Sequence, residues 1–298
     1  MDYFFQIMAN GLHNGALYAL LAYGYVLTGI VTKRPNLAHG AVFAFSGQIL
    51  VLAATAGYNA LWMTLPAAIL FGIGVSATLC AILLWTLATR IMPPFLNRAP
   101  NGMIVATLAI AIILAEAARI GADTRDFWLP PLLNSPIGLL PYKGTPAITV
   151  LQGLNIAAIL LLIAGTQLAL ARTMAGRKLR AVADDPLAAA ALGTNPLRVT
   201  QSAIISGGAL AAIGGMLAVL YFGNMSFGSG LIYALKVLFI ASAGGFSSPL
   251  AAALGAFIYG EAEALWDGYM PSVWRDAVFF SVLAFILILK RENRLTAP

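Results

Sequence analysis

The sequence predicts an all-α fold, a polytopic transmembrane helical bundle of about eight to ten spans or re-entrant segments, taking in residues 1–298 as one transmembrane domain. Three observations predict it. The chain is 60% hydrophobic and 9% charged, where soluble domains average about 45–50% and about 25%. Apolar runs long enough to cross a bilayer, about 20 residues, follow one another along the chain. Basic residues gather between alternate runs, which is the sidedness that membrane insertion imposes.

The first run, 4–31, carries Asn14 and Tyr18, four apart and so on one helical face. Polar side chains are costly in a span and mark it for function. Pro35-Asn36 then breaks the chain, and Asn36 is placed to cap the second run, 36–57, with His39 one turn in. A lone histidine of this kind reads either as hydrogen-bonded packing or as part of a path. The proline, the cap and Gly40 around it favour a broken helix that exposes backbone groups to a solute. The 60–89 run is long enough to tilt or to include an interfacial turn. The 101–121 run holds Glu116 and Arg119, three apart and able to neutralise each other.

Residues 122–147 contain five prolines and no helical period. They predict an extracytoplasmic cap of turns, with room for a short interfacial helix and with Trp128 and Tyr142 at the membrane surface. The segment is long for a simple connector and offers a face to an external partner. After the 148–171 run comes 172–200, RTMAGRKLRAVADDPLAAAALGTNPLRVT. Here Arg172, Arg177, Lys178, Arg180 and Arg198 stand against Asp184 and Asp185. Asp185 as N-cap and Pro186 at the first helical position predict a short helix over 187–192. Gly193 can close it, and Asn195-Pro196 repeats the same start for the next run, 199–222. The segment reads either as an ordinary basic loop or as a platform under the membrane that docks a cytoplasmic partner.

Three runs remain: 231–246, short for a crossing, then 249–267 and 273–290. Glu263 and Asp267 share a face near the outer end of 249–267, while Glu261 points elsewhere. Lys236 is a candidate partner on the preceding segment. Glu263 suits either a solvated interfacial position or a role in a pathway or in helix packing. Gly207-Gly208, Gly214-Gly215 and Gly244-Gly245 let helices approach closely. GALYAL at 15–20 resembles GLIYAL at 230–235, a short match that fits a duplicated transporter scaffold.

Loop charge sets the orientation. Lys33, Arg34, Arg90, Arg98, the five basic residues of 172–200, and Lys290, Arg291 and Arg294 make twelve of the 17 basic residues. All twelve fall on one side if the N-terminus is outside and the C-terminus cytoplasmic. Arg125, Lys143 and Arg275 fall on the other. Parity then requires that 231–246 and 249–267 both cross or both fold back. The net charge of +6 belongs to these loops, so membrane lipid is an expected partner and nucleic acid is not. Cys80 stands alone, so no intrachain disulfide is expected. The start, MDYFFQIMANG, has an acid and no positive n-region, unlike a usual signal peptide. There is no G-x-x-x-x-G-K-[ST] phosphate loop and no H-E-x-x-H. No enzyme activity, cofactor or metal is expected.

Three separated stretches carry a resemblance. The first is Asn14-Gly15-Ala16-Leu17-Tyr18-Ala19-Leu20, followed by Asn36-Leu37-Ala38-His39-Gly40. The second runs from Gly176-Arg177 through Ala183-Asp184-Asp185 to Leu192-Gly193-Thr194-Asn195. The third is Ala243-Gly244-Gly245, followed by Gly260-Glu261-Ala262-Glu263-Ala264-Leu265. Together they resemble the membrane subunits of bacterial ATP-binding-cassette (ABC) importers for branched-chain amino acids, and most of all the shorter of the two paired permeases. Ala41 stands where many relatives carry an acid. The resemblance implies an inner-membrane subunit working with a second, paralogous permease, two cytoplasmic ATPase subunits and an extracytoplasmic substrate-binding protein. It implies that Arg177, Arg180, Asp184, Asp185, Pro186 and Gly193 belong to an ATPase-coupling segment. Asn14, Tyr18, Asn36, His39 and Glu263 are the candidates for the substrate pathway. Cousins of this family carry urea and other amides. A self-contained channel or secondary transporter would need an ion-coupling site, and an intramembrane enzyme a catalytic constellation. Neither is evident.

Overall fold

The computed structural model describes residues 2–96, 100–131, 133–138, 147–244 and 248–295. In chain order the helices are α1 (Asp2–Thr32), α2 (Ala38–Asn59), α3 (Leu65–Thr86), α4 (Pro93–Leu96), α5 (Pro100–Gly121), α6 (Val150–Arg172), α7 (Met174–Asp184), α8 (Pro186–Ala191), α9 (Pro196–Phe222), α10 (Ser229–Gly244), α11 (Pro249–Tyr269) and α12 (Arg275–Leu295). A π-helical turn, Leu87–Ile91, prolongs α3. Each apolar run forms a helix within its described residues, as expected of a membrane bundle. The 60–89 run becomes helical only at Leu65. Among the described residues, six helices are long and apolar enough to cross a membrane: α1, α2, α3 with its π turn, α5, α6 and α9. The helix α10 has only 16 residues, and α11 and α12 carry charged residues of the site described below.

The helix α1 is the axis of the bundle. It is apolar on all sides and buried without a break from Gly15 to Gly29, as a helix surrounded by others must be. Its broadest contact is with α11, followed by α9. The α1–α11 pair is antiparallel: Gly268 meets Ile7, Gly11 meets Ala264, and Gly15 meets Gly260. A Cβ on Gly260 would stand 2.5 Å from the Gly15 Cα, so neither position admits a side chain at this separation. Extending that register places Pro249 opposite residue 26 of α1, about 9 Å short of Thr32 at 1.5 Å per residue. The start of α11 is therefore recessed from the end of α1.

Small residues also join α9 to its neighbours. A Cβ on Gly207 would fall 2.5 Å from the Gly24 carbonyl. Thr28 donates to the Ala203 carbonyl at 3.3 Å, Ser46 to Ala212 at 2.8 Å, and Ser76 to Ser46 at 2.7 Å. Close backbones with hydroxyl cross-links are how helices associate where lipid offers no hydrophobic driving force. Gly245 lies outside the described residues.

The cap over 122–149 differs from expectation. No helix occurs among its described residues. Instead β1 (Pro136–Gly138) pairs antiparallel with β2 (Ala147–Thr149). Period-2 alternation is too short in three-residue strands to be read from sequence. Trp128 is exposed, as an interfacial residue should be. Tyr142 lies outside the described residues.

Candidate functional site

The break after α1 is stitched by side chains. Lys33 turns the chain with φ +52°, and Arg34 donates to the Phe95 carbonyl at 2.8 Å. The Asn36 N–H donates to the Tyr25 hydroxyl at 3.4 Å, and the Leu37 N–H to Thr107 at 3.2 Å. Irregular backbone inside a bundle persists when protein groups satisfy it in this way. Asn36 is not the N-cap, because Leu37 holds that position in helical geometry. Its Oδ1 accepts from the Ala38 N–H at 3.1 Å, an Asx-type turn one residue early. The His39 ring is buried and its Nε2 lies 3.0 Å from the Leu21 carbonyl. A carbonyl only accepts, so Nε2 carries the proton. Asn36 and His39 thus pin the start of α2 to α1.

Asn14, Tyr18 and Glu263 come together elsewhere, in a cavity of ≈ 320 Å³ between α1, α10, α11 and α12. One wall is apolar: Leu17, Phe43, Phe222 and Ile232. The other is charged. Lys236 meets Glu263 at 2.5 Å and Asp276 at 3.1 Å. Arg275 meets Glu263 at 3.0 Å, Asp267 at 2.7 Å and Asp276 at 3.2 Å. The Tyr18 hydroxyl lies 3.4 Å from the Lys236 ammonium. Glu263 is only 5% exposed, so the solvated reading of that residue is wrong: α10 and α12 cover the face that periodicity left open. The expected partner Lys236 is confirmed. Arg275, read from sequence only as an outer-loop charge, and Asp276 were missed as site residues. The matching tyrosines of GALYAL and GLIYAL, Tyr18 and Tyr233, both line the cavity, with ring centroids 5.9 Å apart. Glu116 and Arg119 form their expected pair on α5.

A second polar set, also missed, joins the outer cap to α1. Gln6 clasps the Ala147 backbone through both ends of its amide, each at 2.9 Å. Thr149 and Gln152 form a capping box that starts α6. Gln152 also donates to Tyr221 at 2.8 Å. Asn155 donates to the Leu217 carbonyl at 3.0 Å and to His13 Nε2 at 3.1 Å. On α6 the buried residues Gln152, Asn155, Ile159 and Ile163 form one stripe. The helical spacing of its two amides was the available signal.

Residues 172–200 fold as three capped helices. Thr173 caps α7 by accepting from the Gly176 N–H at 3.3 Å. This helix was not anticipated. Asp185 accepts from the Leu187 and Ala188 N–H groups at 2.8 and 3.0 Å, with Pro186 at the first position of α8. Gly193, at φ +82°, ends α8 in the left-handed region, and Asn195 caps α9 through Arg198 at 3.2 Å. These signals were all legible. Arg180 donates to the Leu170 carbonyl at 2.6 Å, fixing α7 under the end of α6, while Arg177 reaches Met174. Asp184 is exposed. Leu179 and Val182 turn inward, but Leu187 and Leu192 stand 82% and 87% exposed. Beside them opens a cleft of ≈ 650 Å³ between α8 and the end of α1, with Lys33, Arg34 and Leu187 among its walls.

Known proteins are similar to this sequence along its length. Residues 7–289 match the family described as branched-chain amino acid transport system / permease component. The high-affinity branched-chain amino acid transport permease LivH of Salmonella typhimurium is 27% identical over 99% of this chain and 96% of its own. BraD of Pseudomonas aeruginosa, with the same description, is 27% identical over 99% and 97%. The autoinducer 2 import permease LsrC of an Enterobacter strain is 26% identical over 97% and 80%. The chain is therefore a multi-pass membrane permease rather than an enzyme, and it belongs to the branched-chain amino acid transport system permease family.

Proposed function

We propose that this subunit carries branched-chain amino acids inward, in a complex with a second permease, two cytoplasmic ATPase subunits and an external binding protein that delivers the solute. One observation carries the reading: a capped platform, α7–α8, presents exposed leucines beside an open cleft, at the far end of α1 from a cavity with one apolar and one charged wall. Tyr18 at the cavity and Thr32 at the cleft are 14 residues apart on one helix, about 21 Å. ATP-driven closure at the platform would thus act at a distance on the cavity. Exposed apolar side chains at the cytoplasmic end are what a partner surface would cover.

In this reading the N-terminus and the 122–149 cap lie outside, and the platform and C-terminus are cytoplasmic, following the charge bias. The entire chain acts as one permease unit. Asn14, Tyr18 and Glu263 belong to the pathway. Asn36 and His39 support it by holding the start of α2. Arg177, Arg180, Asp184, Asp185, Pro186 and Gly193 form the coupling segment. Purification of the complex from its native membrane, followed by ATP-dependent leucine uptake into liposomes with the external binding protein, tests the assignment. Isolation of an intact chain with no ATPase subunit, or uptake independent of ATP, would refute it.

A further inference from the structure

Among the described residues, Lys236 and Glu263 are the charged side chains most completely withdrawn from solvent, at 3% and 5% exposure. Burying a pair of ions is poor for stability compared with an apolar pair of similar volume, and within a membrane bundle it marks function. The pair also holds others in place. Lys236 comes from α10, Glu263 and Asp267 from α11, and Arg275 and Asp276 from the start of α12. All five line the cavity, and the most open of them are Arg275, Asp267 and Asp276, with side chains 29%, 37% and 38% exposed. Arg275 and Asp276 set a cation and an anion side by side, 3.2 Å apart. An α-amino acid carries the complementary arrangement, a carboxylate and an ammonium on one carbon. An independent feature lies one helical turn from Glu263 on α11. The Tyr259 hydroxyl is buried without a hydrogen-bond partner.

We propose that Arg275 and Asp276 recognise the carboxylate and the ammonium of the passing amino acid, and that Lys236 and Glu263 act as positioning residues that hold this pair in place. The apolar wall of Leu17, Phe43, Phe222 and Ile232 takes the side chain. The inference rests on the transport reading above and adds the residues that select a zwitterion over an uncharged amide. Bidentate geometry suits arginine to the carboxylate, and an ammonium needs only a compact acceptor. The solute exchanges one set of ion pairs for another, so its charges need not stand unpaired in the bundle.

The test uses the full complex with its binding protein in liposomes and radiolabelled L-leucine. Asp276→Asn keeps an acceptor for Lys236 and Arg275 while removing the charge. It should leave subunit content unchanged and lower leucine uptake at least tenfold. Lys236→Met/Glu263→Met separates recognition from packing, because an apolar pair satisfies the fold. This double variant should assemble with an unchanged or raised Tm and still fail to carry leucine. A purely structural network predicts the reverse, recovery of uptake with recovery of stability. Wild-type uptake in the double variant, or in an intact Asp276→Asn complex, overturns the proposal. If Asp276→Asn fails to assemble, the double variant decides alone. A wild-type complex that carries no branched-chain amino acid overturns the transport reading itself, before any variant is compared.

Discussion

Gly193→Val tests the platform most directly, because its effect can be worked out from local geometry. Gly193 holds φ +82°, and a Cβ there would meet nothing within 4 Å. Steric clash with neighbours is therefore absent, and the whole effect is backbone strain. A left-handed residue with a side chain costs about 1–2 kcal/mol, and valine is poorly suited to it because its branched side chain is stiff. That energy is a factor of about 5–30 in the population of the correct turn. Two bonds depend on the turn: Gly193 N–H to the Ala190 carbonyl at 2.9 Å, and Thr194 N–H to Ala189 at 3.0 Å. Losing them frees the end of α8 that carries Leu192. The variant should insert normally, since no membrane-facing contact changes. ATP hydrolysis by the complex should lose its response to the loaded binding protein, or the ATPase subunits should dissociate. Gly193→Asn should retain most coupling, because asparagine tolerates left-handed backbone. The assay is ATPase activity in liposomes with and without the binding protein, beside subunit retention on purification. Full stimulation, transport and retention in Gly193→Val would show the platform to be an ordinary loop.

Asp185→Ala removes the acceptor for two N–H groups at the other end of α8. It should cost about 0.5–2 kcal/mol, seen as faster proteolysis within 185–193, and unchanged proteolysis would count against the cap. His39→Ala removes the ring's bond to the Leu21 carbonyl, at about 0.5–1.5 kcal/mol. The Tm of the complex and leucine uptake should fall together, whereas loss of uptake at an unchanged Tm would return His39 to the pathway. Cysteines placed at Trp128 or Val273 in a Cys80→Ser background should react with an impermeant reagent from outside, and those at Leu187 or Leu192 only from the cytoplasm. Reaction on the opposite sides would invert the topology.

How much of this was legible depended on whether a feature is local. Asp185-Pro186, Gly193 and Asn195-Pro196 are backbone signals complete within a few residues, and each stands where the sequence put it. The Glu116–Arg119 pair sits within one turn of one helix. The α7 helix was legible in principle, from Thr173 as a cap and Leu179 and Val182 on one face, but in so short a helix Arg177, Lys178 and Arg180 leave few apolar positions to mark the period. The ion network was only half visible. Helical spacing joins Glu263 to Asp267, but no spacing states that the first turn of α12 folds onto α10, so Asp276 escaped. Asn36 was misread for a related reason. A proline before it, and a tertiary bond from the next N–H to Thr107, moved the cap by one residue, and that bond comes from a helix about 70 residues away.

The architecture also bears on how a force at the platform would be felt at the cavity. The helix α9 starts at the Asn195 cap, directly after α8, and ends with Phe222 in the cavity wall. Its 27 residues span about 40 Å. It is held against α1 where Gly24 and Gly207 let the backbones touch and where Thr28 reaches Ala203. It is held against α2 where Ser46 reaches Ala212. Close-packed interiors transmit displacement because they cannot absorb it as compression. In the proposed importer, movement of α8 therefore carries the base of α9 with it, and α9 carries Phe222. The axis helix α1 stays enclosed between α9 on one side and α11, with Glu263, on the other. Shifting α9 against α11 across α1 changes the separation between the apolar and the charged walls of the cavity. The Gly24–Gly207 contact is the point of that path where α9 and α1 touch backbone to backbone. Gly207→Ala would force the two helices apart there, and should impair transport without touching either the platform or the cavity.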